Sequence, residues 1–398
     1  MKDLGVYVQI PFCASKCSFC NFSSKVSHAE VIAAYCGALE QEIEGLPALY
    51  DATDVVRRLL NSPVDTIYFG GGTPTIIGIE RLERILQALR ARFQFTDSVE
   101  VTLETTPGSA DLTFLRQART LGVDRLSIGA QSFDDRELSA VGRLHSGADT
   151  RVLAEHARRA GFANVSLDLI AGLPHQTEDS WRKSLEAIGQ LRPEHVSVYI
   201  LEVDEKSRLG GEVLRHGTRY HAESVPDDES MAAAYETARK FLKAPGYLQY
   251  EISNFALPGF ESRHNRKYWN LDPYIGLGAG AHSFDGESRW ANESNAELYS
   301  AQITRGESPI TEIHRLTLEE QVEEFFFVGL RQTKGVCLTD ASRRWGDTAL
   351  ARFQCVIAEL ADRGLLKRER DCVRLADDAF IFSNEVFQEF LLAKTEAP

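Results

Sequence analysis

The sequence predicts an α/β protein: an open six-stranded parallel (β/α)6 partial barrel, followed by a C-terminal α+β winged-helix-like domain. Three observations predict it. Six short runs rich in Val, Ile, Leu and Tyr alternate with amphipathic helical patterns through the first half. The runs lead into glycine-rich or polar segments, placed as barrel-type α/β enzymes place their functional residues, at the carboxyl ends of strands. Beyond about residue 203 the alternation weakens, and from about 317 the chain reads as helices ending in a short β-like run.

The expected strands are 6–11, 65–69, 100–103, 125–129, 164–170 and 195–200. The expected helices between them are 29–44, 79–93, 110–121, 150–160 and 178–191. Leu82, Ile85, Leu86 and Leu89 recur at the spacing that lines one helical face, and Thr177 precedes its helix as an N-cap. Strands that alternate with helices pair in parallel through right-handed crossovers. The dinucleotide-binding pattern G-x-G-x-x-G is absent, which argues against a flat nucleotide-binding sheet. Residues 207–228 read as a polar loop, 230–242 as a helix and 372–375 as a strand. The domains expected are 1–205 for the barrel core, 206–310 for a connecting region and 311–398 for the winged-helix-like domain.

Composition excludes several classes. With 43% apolar residues the chain has material for a large core, so disorder is not its dominant state. The formal net charge of −14 argues against phosphate-backbone binding, and no nucleic-acid partner is expected. No apolar run reaches the roughly 18 residues of a membrane span. The first residues carry an early acid and no apolar h-region, so a cytoplasmic protein is expected.

Of seven cysteines, Cys13, Cys17 and Cys20 fall within eight residues. Cys36, Cys337, Cys355 and Cys372 are scattered and read as small buried hydrophobes. A structural zinc site wants four ligands, commonly as two separated pairs, and no fourth Cys or His stands near the triad. Three thiolates suit three irons of a [4Fe–4S] cube whose fourth iron stays open to a ligand. The alternatives are a partial zinc site or coincidence.

The Cys13-x-x-x-Cys17-x-x-Cys20 spacing, with Phe19 before the last cysteine, resembles the radical S-adenosylmethionine (SAM) superfamily. Tyr7-Val8-Gln9-Ile10-Pro11-Phe12-Cys13 is similar to the branch of the oxygen-independent coproporphyrinogen III oxidase and its relatives. So are Gly70–Thr75 (GGGTPT), Gly129-Ala130-Gln131-Ser132-Phe133, Gly142-Arg143-Leu144-His145 and Asp168–Pro174 (DLIAGLP). The resemblance spans almost the whole chain and is strongest to the heme chaperone (HemW) group. It implies a [4Fe–4S] cluster on Cys13, Cys17 and Cys20, and SAM contacts at Tyr7, Phe19, Gly71, Gly72, Thr73, Glu104, Gln131, Arg143 and Asp168. Chemically, glycines let backbone approach a cofactor, Glu104 and Asp168 can accept from hydroxyl or ammonium groups, and Arg143 can pair with a carboxylate. Taken singly, each of these residues reads as a turn, a cap or a solvated side chain.

The chain departs from the oxidase pattern at Phe22, where the oxidase carries a fourth cysteine, and in its short segment before Cys13. Thr106 stands where the group usually has Asn. His264-Asn265-Arg266-Lys267-Tyr268-Trp269 carries the H-N-x-x-Y-W pattern of the chaperone group. It makes His264 and Tyr268 heme candidates, His282 a weaker one, and Arg266 and Lys267 candidate propionate partners. The alternative is a turn followed by core aromatics. The resemblance therefore implies heme, SAM and the cluster as cofactors, with transfer of heme to an acceptor protein. The competing reading is an oxidase-like enzyme that cleaves SAM to a 5′-deoxyadenosyl radical, with an electron donor such as a flavodoxin or ferredoxin. A third is an iron–sulfur scaffold.

Overall fold

A computed structural model describes residues 2–50 and 59–392. The outermost residues of the first and last expected domains, 1 and 393–398, lie outside the described residues. The first half runs β1 (Leu4–Ile10), α1 (Ala29–Leu49), β2 (Val64–Gly71), α2 (Ile79–Arg92), β3 (Phe95–Thr105), α3 (Leu112–Thr120) and β4 (Arg125–Gln131). It continues through α4 (Asp135–Ala140), α5 (Gly147–Arg159), β5 (Asn164–Ala171), α6 (Glu178–Leu191) and β6 (His195–Ile200). Strands β1 to β6 pair in sequence order, all parallel. β1 and β6 do not pair with each other, so the barrel is open.

Local chemistry fixes these elements. Leu82, Ile85, Leu86 and Leu89 of α2 are all buried, as their spacing predicts. Burying each such side chain contributes about 2 kcal/mol. Thr177 and Ser180 form a capping box, which starts α6 at the expected residue. β3 is longer than the expected 100–103 because its first residue, the half-buried Phe95, still pairs with Val64 of β2.

The strands bury two different faces. Val6, Val8 and Ile10, Ile67 and Phe69, Val101 and Leu103, Leu126 and Ile128, and Val196 and Val198 belong to the main apolar core. The alternate positions are polar or small: Tyr7 and Gln9, Thr66 and Tyr68, Thr102 and Glu104, Arg125 and Ser127, Ser166 and Asp168, and His195 and Ser197. Register aligns Glu104, Ser127, Ser166 and His195 in one row across four strands. Since successive strand side chains point to opposite faces, this polar set shares one face. The interior of a closed parallel barrel is packed with branched aliphatics. Here the inner face carries polar side chains instead.

Residues 207–228, expected as a loop, form α7 (Arg208–Leu214) and a 3-10 segment over Arg219–Ser224. The polar composition hid a cap: Ser207 accepts from the Gly210 N–H and starts the helix. Then follow α8 (Asp228–Lys243), β7 (Leu248–Gln249), β8 (Asn254–Ala256), α9 (Arg263–Trp269), β9 (Tyr274–Leu277), β10 (His282–Phe284), β11 (Ser288–Asn292), α10 (Ala296–Thr304) and β12 (Ile310–Arg315). The stretch expected to connect domains thus extends the sheet at both edges. β8 adds antiparallel to β6 and β7 antiparallel to β8, β9 pairs parallel with β1, and β10 to β12 continue antiparallel.

The C-terminal part comprises α11 (Leu318–Gly329), β13 (Val336–Cys337), α12 (Leu338–Trp345), α13 (Asp347–Asp362), β14 (Leu366–Glu369), β15 (Cys372–Leu375) and α14 (Ser383–Leu392). Its three strands form an antiparallel sheet in the order β13–β15–β14. The rings of Phe326, Phe353 and Phe390 meet at 4.7 to 6.1 Å in its core. Among the described residues, no helix is long and apolar enough to cross a membrane.

Candidate functional site

The three clustered cysteines sit in the loop after β1. Phe12 bridges to Lys25, and the Cys13 N–H donates to the Lys25 carbonyl at 3.0 Å, which closes the loop at its base. Each sulfur has a polar neighbour from a different place. Thr73 Oγ1 lies 3.8 Å from Cys13 Sγ, an Arg143 guanidinium nitrogen 3.6 Å from Cys17 Sγ and Ser24 Oγ 4.0 Å from Cys20 Sγ. Burial pushes the Cys13 thiol pKa up. The sulfurs do not all come within 4.8 Å of one another. Three thiolates with no fourth Cys or His near them in the sequence suit three irons of a cluster better than a tetrahedral zinc, which takes four ligands.

Facing the loop are the ends of β2 to β5. The Thr73 and Gly72 N–H groups donate to the Phe12 and Ile10 carbonyls at 2.7 and 2.8 Å. A Cβ on Gly72 would lie 2.4 Å from the Phe12 oxygen, so only glycine lets the two loops touch. Gly71 is held at φ +109°, in the region that favours glycine. Its N–H and the Tyr68 hydroxyl donate to the two oxygens of Glu104, at 3.2 and 2.7 Å. Burial raises the Glu104 pKa to about 7. Asp168 accepts from Ser197 at 2.7 Å and from Ser127 and Ser166 at 3.4 Å, and burial raises its pKa as well.

A shift in the β4–β5 register between Ile128 and Gln131 accompanies Gln131 at φ +66°. Arg143 reaches from beyond α4, donates to the Gly129 carbonyl, and leaves its buried Nε unpartnered. Phe19 packs with the apolar group of Val141, Leu173, Leu201, Leu209 and Met231. Tyr7 donates to Gln9 at 2.7 Å and stacks on Tyr68.

The cysteines and the residues expected around SAM therefore converge at one end of the strands. The donor set fits a small polar cofactor on three counts. Gly71 and Gly72 are half-buried and present backbone without side chains, two carboxyl groups are held by hydroxyl donors, and Arg143 Nε still lacks an acceptor. The sequence reading missed the serines that hold Asp168, Tyr68 on Glu104 and the buried Arg125. Arg125 leaves Nε and one terminal nitrogen unpartnered inside the barrel. The signal available for all of them was the two-residue polar alternation in strands that a simple parallel sheet would make apolar.

His264 and Tyr268 are not at that end. Helix α9 plugs the amino-terminal side of the polar face. Glu100 accepts from the Arg263 and His264 N–H groups at 3.1 and 3.3 Å, and Lys267 pairs with Asp65 at 2.7 Å. The His264 ring is wholly buried. Its Nδ1 bonds Thr66 Oγ1 and its Nε2 the Tyr268 hydroxyl, both at 2.9 Å. Burial, with Lys267 and Arg125 nearby, lowers its pKa to about 3. In this arrangement neither nitrogen is free for iron. Lys267 is likewise engaged with Asp65 and the Asp3 carbonyl, which corrects the expectation that it is available to a propionate. His282 is exposed on β10, away from this plug.

Comparison with known proteins adds the family. The model of the radical SAM superfamily matches residues 7–188, and that of the HemN C-terminal domain matches residues 316–382. The chain is 35% identical to the protein named heme chaperone HemW of Bacillus subtilis (strain 168), over 97% of this chain and 99% of that one. It is 31% identical to the HemW of Lactococcus lactis subsp. lactis (strain IL1403), over 98% of each. The solved coproporphyrinogen III oxidase (HemN) from Escherichia coli superposes with a TM-score of 0.84 at 24% identity, covering 98% of this chain and 90% of that one, which shows a shared fold. With near full-length identity above 30% to proteins of that name, the chain belongs to the radical SAM superfamily and, within it, to the HemW family.

Proposed function

We propose that this chain is a heme chaperone that carries a [4Fe–4S] cluster on Cys13, Cys17 and Cys20, binds SAM beside it, and passes heme to an acceptor protein. The observation that supports the cluster is the set of three cysteine sulfurs in the loop after β1, each beside a separate polar group. The cluster, when bound, supplies an open iron for the amino and carboxylate groups of SAM. In this proposal Gly71, Gly72 and Thr73 offer backbone to the amino-acid end of SAM. Glu104 and Asp168 accept from its hydroxyl and ammonium groups, Arg143 donates to its carboxylate, and Tyr7, Phe19 and Gln131 border it.

The heme part rests on the names of the relatives and on an apolar rim. Phe22, Leu144, Tyr199 and Ile200 are exposed at the cysteine end, Phe22 at 66% and Leu144 at 77%. A flat apolar macrocycle would bury such side chains. Phe22 also has no thiol at the position where the oxidase pattern has one. We place heme docking at this rim, with His264 and Tyr268 acting through the fold. Seven unpaired cysteines suit a reducing compartment such as the cytoplasm.

The test is a heme titration of anaerobically reconstituted chain, with and without the cluster. Saturable binding with a Soret band, weakened by Phe22→Asp with Leu144→Asp and kept in His264→Ala, is expected. Consumption of coproporphyrinogen III with release of 5′-deoxyadenosine would overturn the reading in favour of an oxidase. Loss of heme binding in His264→Ala at unchanged stability would return the ligand to His264.

A further inference from the structure

Far along the chain from the cysteine loop, the C-terminal sheet gathers a second group of soft donors. Cys337 ends β13 and faces Cys372, the first residue of β15, directly across the antiparallel pair. Asp371 sits between β14 and β15, in the turn of that hairpin. Each of these groups counts little alone, but Cys337 Sγ, Cys372 Sγ and an Asp371 carboxylate oxygen all lie within 4.8 Å of one another. Among the described residues this is the one group of three Cys, His, Asp or Glu donors so close.

We propose that Cys337, Cys372 and Asp371 form a binding site for a zinc-class divalent cation, separate from the cluster site. Two thiolates and a carboxylate are donors that zinc accepts, and tetrahedral Zn–S and Zn–O bonds put neighbouring donor atoms about 3.5 to 3.8 Å apart. Cys337 Sγ already stands 3.4 Å from Asp371 Oδ2. The carboxylate is oriented from outside the trio: Thr339 Oγ1 donates to Asp371 Oδ2 at 2.5 Å. The turn itself is held to the start of α12 by the Leu338 N–H, which donates to the Asp371 carbonyl at 2.8 Å. Such outer contacts fix a ligand before the metal arrives. Both cysteines are partly exposed and Asp371 is exposed, so water has access to a fourth position. A cross-strand disulfide would use the two sulfurs and leave the oriented carboxylate without a role, so the three-donor arrangement favours a cation. The ion would clamp the β14–β15 hairpin to the start of α12.

The test uses the full chain with its cluster already reconstituted, so that the first triad is occupied. After equilibration with zinc chloride and dialysis against a weak chelator, zinc and iron are measured together. One zinc per chain is expected in the wild type. It is lost in Cys337→Ser with Cys372→Ser, while iron content stays at the wild-type level. Asp371→Asn, on an exposed turn, weakens zinc binding about tenfold or more. It serves as the decisive variant should the double variant fail to fold. A thiolate-to-cobalt charge-transfer band, present in the wild type and absent from the double variant, gives the same answer. Absence of zinc from the wild type, or its retention in the double variant, overturns the proposal. So does a 337–372 disulfide found by mass spectrometry in zinc-treated protein that has bound no zinc. None of these outcomes bears on the cluster or on heme.

Discussion

The Tyr68 hydroxyl donates to Glu104 at 2.7 Å, while the face of the same ring stands 5.3 Å from His264. One side chain on β2 thus joins the carboxyl end of the barrel, where the cysteines are, to the plug formed by α9. The hydrogen bond holds Glu104 against burial and the nearby Asp168, both of which favour its neutral form.

Glu104 gives a pH signature. Its carboxyl has an ordinary value of 4.5 and a folded value of about 7. Between the two, the folded chain keeps a proton that the unfolded chain has released, so this group's contribution to stability falls as pH rises from about 4.5 to 7. Affinity for a ligand that donates to the carboxylate moves the other way, rising up to about pH 7 and then levelling. Calorimetric SAM titrations from pH 6 to 8 on the reconstituted chain should show that rise, and Glu104→Gln should flatten it. A pH-independent wild type would remove Glu104 from the SAM contacts.

Cys17→Ala should abolish the brown absorbance of the cluster and most of the bound iron, and leave a folded chain. The residue lies in a loop outside the strands, so the main core does not depend on it. Circular dichroism and iron analysis check this together. Wild-type iron content would exclude Cys17 as a ligand.

Gly72→Ala tests the contact between the two loops. Its new Cβ would collide with the Phe12 carbonyl, which is backbone and cannot swing aside. Relieving the clash should cost about 1–3 kcal/mol and move the Cys13 segment. The expected readout is a lowered melting temperature together with reduced iron loading. Gly37→Ala would meet nothing within 4 Å and, like Gly72, has no positive φ, so it controls for the added methyl without the clash.

His264→Ala should cost about 2–4 kcal/mol, because it opens a cavity and strands the Thr66 and Tyr268 hydroxyls. The loss should shrink in acid. His264 has an ordinary value of 6.5 and a folded value of about 3, so below 6.5 the unfolded chain takes up a proton that the folded chain refuses. The stability that this histidine contributes is present above about 6.5 and falls as pH drops toward 3. Denaturant unfolding at pH 7.5 and 5 in both proteins measures the difference. An equal gap at the two pH values would contradict the buried, neutral ring.

Much of this was legible in the chain. Leu82, Ile85, Leu86 and Leu89 announce α2 by their spacing, Thr177 announces the start of α6, and the 3-then-2 gap between the cysteines announces the triad. The polar stretch at 207–228 misled, since Ser207 acts as a cap there. The sequence left the role of His264 open, because an imidazole beside aromatics reads the same whether its nitrogens are free or bound; here both are bonded.

The sequence by itself determined the order of β1 to β6 and the helices between them that it named, the cysteine triad and the glycine run that meets it, because spacing, capping and turn chemistry act between residues a few positions apart. Only the tertiary structure decided which partners they meet. Sheet register brings Ser127, Ser166 and Ser197 onto Asp168, and the packing of α9 closes Thr66 and Tyr268 around His264. It also sets Thr73 and Arg143 beside the Cys13 and Cys17 sulfurs and brings Cys337 opposite Cys372. Those contacts join residues far apart in the chain, and no local pattern encodes them.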